Sequence, residues 1–173
     1  MTDIATSTPE ITELKRCYGC LAIGLPLTFL PIAWWSMAGI VLMLIGIIWA
    51  YVLRSREGAS ELVHNHGRWQ VRTFWISSVF AFIAVMLAGM TVSGNANNAA
   101  LVKMQEMSAG GQISQDQIEA LTNQYMSDNA PVLMWASIGY LSIPIIYAIA
   151  RFVKGYRLAS AGKPVENIKT WAL

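Results

Sequence analysis

A chain of 173 residues has room for one domain, and here 55% of the residues are hydrophobic while only 13% are charged. Soluble domains carry roughly 25% charged residues, so this composition excludes an ordinary water-soluble globule. The net charge of +2 is too small to make nucleic acid a partner.

Asp3, Glu10, Glu13, Lys15 and Arg16 crowd the start of the chain, and no small-residue cleavage pattern follows the first apolar run. No removable signal peptide is expected there. Thr8-Pro9-Glu10 reads as a helix start, with Thr8 as the cap, Pro9 first in the helix and Glu10 on the positive end of its dipole.

A membrane span needs about 20 mainly apolar residues to cross a roughly 30 Å hydrocarbon core. Residues 17–53 carry no charge, too long a run for one span and enough for two. Pro26, Pro31 and the Ala33-Trp34-Trp35-Ser36 stretch mark a tight hairpin between a first span at 14–32 and a second at 35–54. A third span is read at 73–93 and a fourth at 131–151, with a kink expected at Pro144. The polar stretch 94–130 between them predicts two short helices, 99–107 and 114–126, parted by Gly110-Gly111. Ser114 with Gln117 fits a capping box, and Ile118, Leu121 and Tyr125 fall on one face. The expected fold is thus all-α. It is one polytopic membrane domain over 1–173, with four transmembrane helices, a helical external lid at 94–130 and a cytoplasmic tail at 152–173.

Basic residues concentrate on the cytoplasmic side of membrane proteins. With four spans, every Lys and Arg except Lys103 falls on one side. Both termini are then cytoplasmic and the 94–130 loop is periplasmic. Lipid gives helices no hydrophobic reason to associate, so small residues must let backbones approach. Ser36, Gly39, Met43, Gly46 and Ala50 form one such stripe in span two. Ala81, Ala84 and Ala88, with Ser78, form another in span three, and Ala136, Gly139 and Ser142 a third in span four. A packed bundle or a homo-oligomer would use them.

Two segments stand out on the cytoplasmic side. The first, His64-Asn65-His66-Gly67-Arg68-Trp69-Gln70-Val71-Arg72-Thr73-Phe74-Trp75, leads into span three. In the second, Arg151, Lys154 and Arg157 form a basic helical row, followed by Gly162-Lys163-Pro164 and Thr170-Trp171. At these residues the chain resembles a family of small four-helix bacterial inner-membrane proteins grouped as a domain of unknown function, distantly allied with a membrane subunit of the chloroplast protein-import machinery. The resemblance rests on His66 through Trp75 and on Arg151, Lys154, Gly155 and Leu158 with the closing Gly-Lys-Pro and Thr-Trp. It covers roughly 38–93 and 132–173, and the 94–130 loop departs from it. It implies a helical bundle in the bacterial inner membrane.

The two segments read as a docking face for a partner protein or anionic lipid, carried by His66, Arg68, Trp69, Gln70, Arg72, Trp75, Arg151, Lys154, Arg157, Lys163 and Trp171. Arginine offers a planar fork to phosphate oxygens, and each basic residue near an anionic surface contributes about 1 kcal/mol. Ordinary anchoring at the headgroups accounts for the same charges. A weaker alternative is a zinc site made by Cys17, Cys20, His64 and His66 in a redox or sensor protein. The chain has no Gly-x-Ser-x-Gly elbow, no carboxylate pair near a span and no phosphate-cradling glycine loop. The expected function is a non-catalytic subunit or scaffold without a cofactor, partnered by the bilayer, other membrane subunits or its own copies. A component of a transport or protein-translocation assembly is the second reading.

Overall fold

The computed structural model describes residues 8–30, 32–111 and 113–171, which contain six helices and no strand. They are α1 (Thr8–Leu27), α2 (Ala33–Ser55), α3 (Glu61–Asn95), α4 (Ala99–Ala109), α5 (Gln115–Asp128) and α6 (Ala130–Ser160). Pro31, expected at the hairpin, lies outside the described residues.

Among these, α2, α3 and α6 are long and apolar enough to cross a membrane. The span expected at 14–32 is not in that group. Helix α1 spends its first half on Glu10, Glu13, Lys15 and Arg16, and ends just past Pro26. Its uncharged part, 17–27, rises only about 16 Å. Helices α3 and α6 run well beyond the expected spans, so the two segments expected to form a docking face are largely helical continuations of them. Helix α6 continues without a break through Pro144.

The chain forms two compact units, Met1–Ala81 with Pro144–Leu173, and Phe82–Ile143. In the first unit α1 lies antiparallel on the small-residue stripe of α2. A methyl at Gly39 would come within 2.5 Å of the Thr28 nitrogen, and one at Gly46 within 2.8 Å of the Leu21 side chain. The backbones meet because no side chain stands between them. Sequence reading found the α2 side of this contact. It missed Gly24 of α1, where a methyl would lie 2.9 Å from the Met43 nitrogen. Gly67 of α3 likewise admits the Arg54 backbone of α2. Leu14, Tyr18, Leu21, Leu53, Val63, Trp69 and Phe152 fill the core of this unit.

The second unit holds α4 and α5 as a helical pair, close to the expected bounds. Ser114 and Gln117 form the expected capping box: Ser114 Oγ accepts from the Gln117 amide, and Gln117 Oε1 from the Ser114 amide. Of the face expected from Ile118, Leu121 and Tyr125, only Leu121 is buried and Ile118 is exposed. One turn of packing on the neighbouring helix suffices for so short an element. The carboxamide of Asn129 closes the unit by pairing with the Asn97 peptide, accepting from its N–H at 2.6 Å and donating to its carbonyl at 3.0 Å. Thr91 Oγ1 donates to Tyr140 Oη at 3.2 Å.

Candidate functional site

The first unit gathers its polar chemistry at the end that carries the α2–α3 link. Glu13 of α1 accepts from Arg56 Nη1 at 2.7 Å and from the Trp49 indole at 3.0 Å, while Glu10 accepts from the Ser60 amide. The Arg56 contact holds the Glu13 carboxyl below the usual carboxylate range, helped by the Trp49 N–H and opposed by burial.

The tail that follows α6 folds back over α3. Gly162, at φ +64°, takes the left-handed conformation that ends α6, with the Lys163 amide donating to the Leu158 carbonyl. The next residues are gripped through their peptide groups. His66 Nε2 donates to the Lys163 carbonyl at 3.0 Å, and Asn65 donates to the Val165 carbonyl and accepts from its amide at 2.8 Å. Arg72 Nη2 donates to the Lys169 carbonyl, Arg151 Nη1 to Thr170 and Tyr147 Oη to Trp171. Trp171 then rests beside Phe80. From His66 to Phe80 the tail therefore follows α3 for about 21 Å.

Because a carbonyl only accepts, His66 carries its proton on Nε2. Burial lowers the pKa of this imidazole and favours its neutral form, so Nδ1 accepts from Tyr18 Oη at 2.8 Å. The arrangement thus joins α1, α3 and the tail through one neutral imidazole.

This geometry corrects the expected docking face. His66, Trp69, Gln70 and Arg151 are completely buried, so none of them meets an outside partner. Spacings of 66, 69, 70 and 73 put His66, Trp69, Gln70 and Thr73 on one helical face, and that face is turned inward. Arg151 stacks on Trp69 and donates from Nε to Thr73 Oγ1. Arg72 is half-buried, and Trp75, though exposed, donates to Tyr51 Oη at 2.7 Å. Arg68, Lys154, Arg157, Lys163 and Trp171 remain exposed.

Of the helix-packing residues, Gly39, Gly46, Ala50 and Ala84 are buried. Ser36, Ala81 and Ala88 are half-buried. Ser36 Oγ donates to the Leu30 carbonyl instead of facing another helix.

The zinc alternative fails on the same geometry. The Cys17 thiol is engaged by Gln70 Oε1 and the Gly46 carbonyl, His64 Nδ1 donates to the Arg54 carbonyl, and both His66 nitrogens are taken. Among the described residues no three of His, Cys, Asp and Glu come together to hold a metal.

One cleft opens beside the tail. It encloses about 430 Å³ and is lined by Trp69, Lys154 and Leu158 on the helices and by Lys163–Asn167 and Thr170 on the tail. Among the described residues Lys154 and Lys163 make no ion pair, and neither does Glu166. The polar residues sequence reading missed are Tyr18, Asn65, Thr73 and Tyr147. For Thr73 the helical spacing from His66 was a usable signal, whereas nothing in the pattern distinguishes Asn65. No protein-family model, curated protein or solved structure matches the chain.

Proposed function

We propose that this is a non-catalytic membrane protein that crosses the bacterial inner membrane four times and docks anionic lipid or a partner subunit through a basic cytoplasmic end. The fourth crossing is supported by the α1–α2 hairpin. Glu13 sits beside Arg56, and the Leu30 carbonyl beside Ser36. Residues 14–30 therefore run alongside α2 from about Trp49 to Ser36, and a bilayer around α2 encloses this arm too. On α2 the exposed Trp34 and Tyr51 are separated by about 26 Å of helix, which matches the spacing of two interfacial aromatic belts. With four crossings, Lys103 is the one basic residue on the far side.

The observation that carries the docking role is the set of exposed cations Arg68, Lys154, Arg157 and Lys163 around the tail. Arg68 is only loosely engaged, 3.7 Å from Glu61. With His66, Trp69, Gln70 and Arg151 committed inside, these outer charges are what a partner would meet.

Two measurements test the reading. A cysteine at position 105 should react with impermeant reagents added outside intact cells, and protection there until lysis would refute the topology. Binding to vesicles containing anionic phospholipid, or co-purification of a stoichiometric partner, should fall when Arg68→Ala is combined with Arg157→Ala. Unchanged binding would refute the basic end as the docking surface.

A further inference from the structure

We propose that the cleft between α6 and the tail is a specific site for the phosphate of an anionic phospholipid headgroup. This rests on the membrane reading above and names the ligand of its basic end. Two cations and one carboxylate line the cleft, and neither ammonium has a carboxylate partner in the described structure. Lys154 comes from the last turns of α6 and Lys163 from the first residues of the tail, so the two charges sit on separate walls. Asn167 adds a carboxamide donor to the lining.

The walls are fixed before any ligand arrives. On the tail side, Asn65 and His66 grip Val165 and Lys163 through the backbone, which leaves the Lys163 side chain exposed. On the helix side, Trp69 is wedged beneath Arg151. A preformed cleft does not have to order its own walls on binding.

Charge and position favour a lipid over a soluble phosphate ester. The tail that forms one wall continues from the cleft to Trp171, whose exposed indole lies beside Phe80, inside the segment read as span three, so one end of the cleft adjoins the lipid. An amphiphile that places its phosphate in the cleft can keep its acyl chains beside that indole.

The test is native mass spectrometry of the full chain in detergent, titrated with phosphatidylglycerol, with phosphatidylcholine and with glycerol 3-phosphate. The expected result is one retained phosphatidylglycerol per chain, weakened about five-fold by Lys154→Gln and again by Lys163→Gln. Glu166→Gln should tighten it by a similar factor, because it removes the one carboxylate facing the phosphate. Arg54→Gln, on the same end but outside the cleft, should change little. Equal weakening by Arg54→Gln and the two lysine variants would mean diffuse attraction, overturning the cleft while leaving the basic end intact. Glycerol 3-phosphate bound as tightly as phosphatidylglycerol would overturn the assignment to lipid. If phosphatidylglycerol is retained no better than phosphatidylcholine, both the cleft and the lipid-docking role fall.

Discussion

Arg151 and Trp69 hold each other twice. The guanidinium lies 3.6 Å above the indole centroid, and the indole Nε1 donates to the Arg151 carbonyl at 3.2 Å. Both residues are fully buried, one in each of the two motifs. A desolvated cation–π contact is worth about 2 kcal/mol. Combining Trp69→Leu with Arg151→Met in a double-mutant cycle should therefore give a coupling of about 1–2 kcal/mol in detergent unfolding. Arg151→Lys should recover little of it, since an ammonium cannot reach Thr73 and Thr170 while lying flat on the ring. Additive losses would show that the stacking contributes nothing.

The asparagine at 65 offers a clean test of the tail. Asn65→Asp keeps the acceptor for the Val165 amide but replaces the donor with a second oxygen facing the Val165 carbonyl. A buried polar group left without its partner costs about 1–3 kcal/mol. Tryptic cleavage after Lys169, whose carbonyl Arg72 holds, should accelerate roughly ten-fold, because local opening governs access and 1.4 kcal/mol is a factor of ten. The same cleavage rate in both proteins would mean that the clamp does not retain the tail.

Glycines along the hairpin separate close approach from ordinary helix propensity. Gly39→Ala should lower the unfolding midpoint, with about 1–3 kcal/mol of overpacking, because the new methyl meets the α1 backbone. Gly19→Ala, in α1, meets nothing within 4 Å and should raise stability by roughly 0.5–1 kcal/mol. Equal effects at the two sites would contradict the packing of α1 on α2.

Acid should loosen the end that joins α1 to the α2–α3 link. The Glu13 carboxyl is held below its ordinary value of 4.5, so the folded state favours its charged form. Its contribution is complete above that value and is lost as pH falls through the lowered value. The stability difference between the parent and Glu13→Gln should accordingly shrink below about pH 4.5 and stay constant from pH 5 to 8. A difference that does not vary with pH would exclude the Glu13–Arg56 pair as its source.

The parts legible in the sequence are those that depend on side-chain periodicity. The α2 stripe, the helical pair in 94–130 and the Ser114–Gln117 cap all follow from spacing, and the structure has each of them. The docking face was misassigned because His66, Trp69 and Gln70 are amphipathic. Each can lie at a membrane interface or donate inside a core, and their neighbours alone do not decide between the two. What decides is the returning tail, and it has no periodicity to read. Lys163, Val165, Lys169, Thr170 and Trp171 are gripped by their carbonyls, which every residue type possesses. The Gly24 half of the hairpin escaped notice for a related reason: one small residue in α1 is meaningful only once its opposite number is known.

A segment gripped largely by its peptide groups leaves its charged side chains without a structural duty. Charges at 163, 166 and 169 can be exchanged, reversed or labelled while the strap keeps its seat, so the electrostatic character of this end is free to vary independently of the architecture beneath it. At Val165 that freedom stops short of proline, because its amide hydrogen is the one Asn65 takes.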